Sequence, residues 1–260
     1  MWNADVVSAP KTVGKALALL NLVADRPGLT LSELSRESEL PLPTAHRLLR
    51  TLEDHGLLRQ DTTYRYRLGS HCLSLGSRFL EGVDLRSEAH PRLTWLVEVT
   101  GETAHVGVPD GVEVVYVDKV ETRHPVRMYS RIGARSPMHS TAMGKAMLAF
   151  GEPELVQRVI DAGLPGRTPN TITDPARFLT ELKRTRARGY AIDDIENEEG
   201  IRCVGAPIVA EQMHMVGAVS VSGPASRITG RRLSKIASAV VQAAAAVSDR
   251  LGYHEDGGRE

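Results

Sequence analysis

Apolar residues recur at helical spacing from Val13 to Asp25, where Ala16, Leu17, Leu19, Leu20 and Val23 form one broad stripe that Pro27-Gly28 ends. Thr30 to Glu33 (TLSE) has the form of a capping box, threonine bonding forward and glutamate back, and it opens the short helical run LSELSRES. A tight SELPLP connection leads to Leu40–Leu58, LPLPTAHRLLRTLEDHGLL. Pro41 and Pro43 fit only a first turn, so a third helix starts near Leu42, with Ala45, Leu48, Leu49 and Leu52 as its buried stripe and Gly56 at its end. Leu57 to Gln60 and Tyr64 to Leu68 are strand-like, joined by the polar turn Asp61-Thr62-Thr63. Helix, helix, short turn, helix and hairpin is the order of a winged helix-turn-helix.

Leu68–Val83 and Leu85–Val99 are helical in period, interrupted at Gly82 and around Pro91. The first offers Leu73, Leu75, Phe79 and Leu80 as an apolar face suited to a second subunit. From Glu102 the pattern changes to alternation: TAHVGV and VEVVYVDKV flank a turn at Pro109-Asp110-Gly111. Helices are predicted at Thr141–Phe150, Pro153–Ala162 and Pro175–Arg188, strands at Tyr190–Ile195, Cys203–Val209 and Met215–Val221, and a long Ala/Val helix at Thr229–Leu251. The expected organisation is an α+β two-domain chain: a winged helix-turn-helix over 9–70, a linker helix over 71–84, and an α+β domain of antiparallel sheet and helices over 85–253.

The third helix carries the candidate chemistry. Thr44, His46, Arg47, Arg50 and Thr51 occupy the face opposite its apolar stripe, and short, polar, cationic side chains suit a DNA major groove. Taken alone, the pattern also fits an amphipathic helix with a solvated face; the preceding helices and the following hairpin favour double-stranded DNA as partner. Arg59, Arg65 and Arg67 on the wing are placed for phosphate or the minor groove.

The chain's 260 residues carry 32 basic and 32 acidic side chains, so net charge argues weakly against a nucleic-acid partner. Between Arg47 and Arg67, however, arginines 47, 50, 59, 65 and 67 face only Glu53, Asp54 and Asp61. Cys72 and Cys203 lie too far apart for a CxxC or zinc-knuckle arrangement, so packing roles, no metal and a reduced cytosolic setting are expected. No stretch has the signal-peptide pattern or the ~20 apolar residues of a membrane span.

Three passages resemble one family, the IclR transcription regulators of bacteria. They are the winged helix with its proline-rich entry, GARSPMHSTAMGKAMLA over Gly133–Ala149, and GYAIDDIENEEGIRCVGAPI over Gly189–Ile208, followed by AVSVSGP. The resemblance implies a C-terminal GAF/PAS-like effector-binding fold, a homodimer or homotetramer, and a repressor whose operator affinity answers to a small sugar, keto or aromatic acid. Carried over position by position, it implies an effector site of Ala142, Met143, Asp193, Ile201, Cys203, Ser220 and Ser222. Serine hydroxyls and helix N-terminal N–H groups suit an anion, Ile201 and Met143 supply apolar walls, and Asp193 accepts from a ligand hydroxyl. Ala142 and Met143 depart from the commonest family pattern, and RMYSRIG, Arg127–Gly133, resembles the branch that senses sugar acids such as 2-keto-3-deoxygluconate.

Other readings stay open at this point. Ser220 and Ser222 also fit strand filler, and the acidic run Asp193-Asp194, Glu196, Glu198 and Glu199 fits a solvated loop or a cation site. An enzyme, with the winged helix as a protein-interaction module, would need His139 beside that acidic loop; no G-x-S-x-G, Walker, G-x-G-x-x-G or H-E-x-x-H motif occurs, and neither a cofactor nor catalytic residues are expected.

Overall fold

The computed structural model describes residues 11–81, 84–125, 128–210 and 215–251, and the chain divides into two compact units, 1–82 and 83–260. In the first unit, α1 (Lys11–Asp25), α2 (Leu31–Glu37) and α3 (Leu42–Asp54) precede the hairpin of β1 (Leu58–Gln60) and β2 (Tyr66–Leu68), and α4 (Ser70–Glu81) follows. The predicted capping box is formed: Thr30 Oγ1 accepts from Glu33 N, and Glu33 Oε2 accepts from Thr30 N at 2.7 Å. Pro43 sits in the first turn of α3, and Gly56, at φ +69°, supplies the left-handed residue just past its end. Leu19, Val23, Leu34, Leu48, Leu49, Leu52, Leu58 and Tyr66 close a core that fixes α3 against α1, α2 and the hairpin. α4 belongs to this first unit, and its Cys72 thiol donates to Leu57 O at 3.2 Å. Gly82 and the side chains of Phe79 and Leu80 lie outside what is described.

The second unit has α5 (Asp84–Thr100), β3 (Thr103–Asp110), β4 (Glu113–Val120), β5 (Arg135–Pro137), α6 (Ala142–Phe150), α7 (Pro153–Asp161), α8 (Pro175–Arg188), β6 (Ala191–Asp194), β7 (Ile201–Val209), β8 (Met215–Pro224) and α9 (Gly230–Arg250). Its six strands form one antiparallel sheet in the order β5-β4-β3-β8-β7-β6. Strand alternation separates the faces: a Cβ on Gly205 would meet α6, and one on Gly217 would meet Leu85 of α5.

Two local expectations are corrected, and one short strand is added. α5 runs through Pro91 without a break. Proline removes one N–H there, but the buried stripe Leu85, Ala89, Leu93 and Leu96 anchors the helix on both sides of it. The β3–β4 turn is tighter than predicted, because Pro109 and Asp110 pair with Val114 and Glu113 and the chain reverses at Gly111, φ +63°. The edge strand β5 was not predicted; three residues are too few to show alternation.

One clamp was also invisible along the chain. Glu102, fully buried ahead of β3, accepts from Arg227 Nε and Nη2 at 2.7 and 2.6 Å and from Arg232 Nη2 at 3.1 Å. It ties the start of β3 to the segment between β8 and α9 and to the first turn of α9, across 125 and 130 residues of sequence. No helix among the described residues is long and apolar enough to cross a membrane.

Candidate functional site

In the first unit, Ala45, Leu48, Leu49 and Leu52 are buried, which leaves His46, Arg47, Arg50 and Thr51 exposed and Thr44 half-buried on the opposite side of α3. Thr51 Oγ1 donates to Arg47 O at 3.0 Å, so its hydroxyl proton is engaged within the helix. Arg50 Nε reaches Asp54 Oδ1 at 3.3 Å, an exposed i,i+4 pair that competes weakly with a partner phosphate. On the wing, Arg59 of β1 and Arg67 of β2 are direct cross-strand partners, both exposed. Like charges in register repel, so this pair favours an anionic partner above the hairpin. Arg67 is partly balanced by Asp61 Oδ2 at 3.2 Å, and Arg65 Nη1 donates to Gly28 O at 2.6 Å.

The turn between the strands is held by one side chain. Asp61 Oδ1 accepts from Thr63 Oγ1, Thr63 N and Arg65 N at 2.6, 2.9 and 3.1 Å, and these bonds, that from the Thr63 hydroxyl foremost, hold its carboxyl well below the usual range. Tyr64 at the tip has φ +58°, a conformation that costs a non-glycine residue about 1–2 kcal/mol.

In the second unit, register assembles a polar row across the sheet. Asp193 of β6 pairs with Cys203 of β7, Cys203 with Ser222 of β8, and Ser222 with Thr103 of β3. One step along the same face lie Gly205, Ser220 and His105. The first turn of α6 rests directly on this face: a Cβ on Gly205 would lie 2.8 Å from Ala142 C and 2.9 Å from Met143 N. Thr141 caps the helix by accepting from Gly144 N at 3.2 Å; the N–H groups of Ala142 and Met143 belong to the first turn, where a helix offers no acceptor of its own. Gly205→Ala is therefore expected to wedge α6 off the sheet and lower stability by about 1–3 kcal/mol, read as an earlier unfolding transition of this unit.

Ala142, Met143, Asp193, Cys203, Ser220 and Ser222, six of the seven expected effector positions, converge on one small cavity with Tyr116, Met128, Thr141 and Asn197. Ile201 is not among its walls; it pairs with Pro224 at the far end of β7 and packs on the hydrophobic cluster instead. The cavity is small, with room for little more than a water molecule, and the unbranched Met128 and Met143 are the walls best suited to move.

Burial sets the protonation states. Asp193 is 2 % exposed and accepts from Glu196 N at 2.7 Å and Asn197 N at 3.2 Å, yet burial outweighs these bonds and pushes its carboxyl up to about 7. Below that pH the Asp193 carboxyl is mostly neutral and carries a proton that it can donate. Burial likewise pushes the Cys203 thiol well up, which leaves it a small hydrophobe and not a thiolate. His105, beside Tyr116 with ring centroids 5.2 Å apart, is pushed down to about 3 by burial and is a neutral ring that meets Ser130 Oγ at 2.8 Å.

The acidic loop is neither solvated throughout nor a metal cage. Lys145, 0 % exposed in the middle of α6, donates to Ile192 O at 2.5 Å and to Glu196 Oε1, so the cation of this loop is the protein's own ammonium. Ser140 Oγ donates to Asn197 Oδ1 at 3.0 Å, and Thr168 and Thr171 donate to Ile195 O and Glu196 O, both at 2.6 Å. Ile195 sits at φ +61°, strain worth about 1–3 kcal/mol for a β-branched residue, retained where the loop must turn Asp193 inward and Glu196 toward Lys145. His139 Nε2 meets Pro165 O at 3.0 Å while Glu196 pairs with Lys145, so the acid–base pairing of His139 with this loop is not formed. Among the described residues, no group of His, Cys, Asp and Glu could hold a metal ion.

Comparison with known proteins decides the family. The description "IclR helix-turn-helix domain" matches residues 12–62, and "Bacterial transcriptional regulator IclR C-terminal" matches residues 77–249. The chain belongs to the IclR family. It is 36 % identical over 250 residues to the HTH-type transcriptional regulator BhcR of Paracoccus denitrificans, covering 95 % of this chain and 90 % of that one. It is 32 % identical over 260 residues to the HTH-type transcriptional regulator KdgR of Escherichia coli, covering 98 % and 99 %. The crystal structure of the Thermotoga maritima IclR superposes with a TM-score of 0.80 at 35 % identity, over 94 % of this chain and 100 % of that one. As an IclR-type protein the chain is a DNA-binding transcription regulator with an effector-binding C-terminal domain, and the family is one of regulators rather than enzymes.

Tyr116, Met128, Thr141, Asn197 and Lys145 were missed from the sequence. Lys145 left the clearest trace, a single charge within the otherwise apolar helix AMGKAMLAF. Tyr116 looked like any alternating strand residue, and Asn197 reaches the cavity only because the loop folds back.

Proposed function

We propose that α3 docks in the major groove of operator DNA through Thr44, His46, Arg47 and Arg50, with Arg59 and Arg67 against the flanking phosphates, and that a small acid in the Asp193–Ser222 cavity sets the affinity. The single observation that carries the effector half is the convergence of the α6 first turn, Ser220, Ser222 and a carboxyl held protonated near neutrality on one cavity. An acid's carboxylate suits the helix N–H groups and serines, and its hydroxyl or keto oxygen suits the Asp193 proton.

Two subunits pair through the linker helices, where α4 leaves Leu73 75 % exposed and Leu75 48 % exposed, so the operator is a near-palindrome with half-sites about one or more helical turns apart. The regulator represses, and the effector shifts the spacing of its reading helices. DNA and effector then alter each other's affinity by the same factor, about 5- to 150-fold for a coupling of about 1–3 kcal/mol.

Arg47→Ala tests the DNA half. Arg47 is exposed with no engagement like that of Arg65 or Arg67, so its loss is expected to weaken operator binding on the order of 10-fold while effector binding is unchanged. Unaltered affinity in a gel-shift titration on an operator duplex would remove α3 from the role. A thermal-shift screen of keto, sugar and aromatic acids identifies the effector class, because a ligand that binds only the folded state raises the melting temperature.

A further inference from the structure

We propose that Tyr64, at the tip of the wing, is itself a DNA contact of this protein, its ring packing against the sugar–phosphate backbone that flanks the base pairs read by α3. The inference rests on the assignment of α3 as the reading helix and adds a residue that neither the sequence pattern nor the charge distribution marks out.

The first observation is a cost without a return inside the chain. Tyr64 is 76 % exposed, so its ring gains almost nothing from packing, yet its backbone is in the left-handed region at φ +58°. That region suits glycine, asparagine or aspartate, and a bulky aromatic there is an outlier that persists where a function offsets it. The second observation is the rigidity of its mount. Asp61 Oδ1 takes the three bonds from Thr63 and Arg65, Tyr64 N donates to Asp61 O at 3.0 Å, and Arg65 is fastened to Gly28 O. A loop so pinned presents its side chain at a fixed place, and the binding entropy lost in ordering it is small.

The third observation names the partner. Tyr64 lines one groove together with His46, Arg50 and Glu53 of α3 and Gln60 of β1, so the phenol and the reading helix front the same space. Thr63 Oγ1 is engaged by Asp61 and Arg65 Nη1 by Gly28 O, and Tyr64 is the large side chain that projects from the tip. An aromatic ring on a hairpin that also carries the Arg59–Arg67 pair, and that fronts Arg50 of α3, matches duplex DNA: its edge packs on deoxyribose carbons, and its hydroxyl donates to a phosphate oxygen.

The test uses the full chain and the duplex that the wild-type protein itself enriches from a random pool. Tyr64→Gly and Tyr64→Asn remove the ring and tolerate the left-handed backbone, whereas Tyr64→Phe keeps the ring. Gly and Asn are expected to weaken binding to that duplex on the order of 10-fold and Phe by less than about 3-fold. The thermal transition of the Gly and Asn variants is expected to stay at the wild-type temperature or above it, because backbone strain is relieved. Wild-type affinity in the Gly and Asn variants, with Arg47→Ala still impaired, overturns this inference and leaves the reading helix standing. A lowered transition in both variants assigns Tyr64 to holding the fold and overturns it as well. If the wild-type protein enriches no duplex, the assignment of α3 fails and this inference fails with it.

Discussion

Lys145→Met is expected to destabilise the C-terminal unit by about 3–5 kcal/mol, the range for removing one partner of a buried ion pair. The physical reason is the carboxylate left behind. Glu196 is buried beneath α6, and with the ammonium gone it must either stay charged in a low-dielectric setting or take up a proton at neutral pH. The penalty is therefore smaller at pH 5 than at pH 8. Burial already raises the Glu196 carboxyl with Lys145 present; without it the folded value moves further above the unfolded one, so stability is lost as pH rises through that interval. Adding Glu196→Gln is expected to recover part of the loss, since the stranded charge is removed. Denaturant unfolding of the wild type, the single variant and the double variant at the two pH values reads all of this, and a double variant no more stable than the single one would locate the damage elsewhere in α6. The same ion pair positions the Asp193 loop, so the single variant is also expected to lose its effector response.

Affinity for an anionic effector is expected to fall about tenfold for each pH unit above 7, as Asp193 loses the proton that burial holds on it to about 7. Below that value the neutral carboxyl donates to the ligand; above it, a second negative charge faces the first inside a small, largely buried cavity. Folding stability follows the same sign. Asp193 is raised above its unfolded value of 3.8, so between about pH 4 and 7 only the folded chain holds the proton, and this contribution is lost as pH climbs through that window. Asp193→Asn, a permanent donor of similar shape, is expected to flatten the binding profile. Calorimetric titration from pH 6 to 9 with the acid found by thermal shift checks both, and a level wild-type profile would take Asp193 out of ligand contact.

Residue pattern alone determined the elements that are local in origin. The capping box at Thr30, the start of α3 at its prolines and the apolar stripe of Ala45, Leu48, Leu49 and Leu52 follow from spacing, because a helix repeats within a few residues. The exposed face of α3 was legible for the same reason: once the stripe is buried, Arg47 and Arg50 have nowhere else to point. The proposed effector positions come from resemblance, and six of them line one cavity, but spacing could not have joined Asp193, Cys203 and Ser222, which only strand register across β6, β7 and β8 sets side by side. Ile201 shows the limit, since two residues along the strand from Cys203 it lies beyond the end of the cavity.

Tertiary structure alone decided the charges. Nothing in AMGKAMLAF reveals that Lys145 neutralises a loop 51 residues away, or that Glu102 is held by two arginines from beyond β8. Nor does the sequence tell that burial raises the Asp193 carboxyl to about 7 while Asp194, the next residue, is exposed. A side chain's spacing along an element is a property of the backbone repeat, whereas its electrostatic state depends on how much water the rest of the fold removes from it, and that is settled only when distant segments pack.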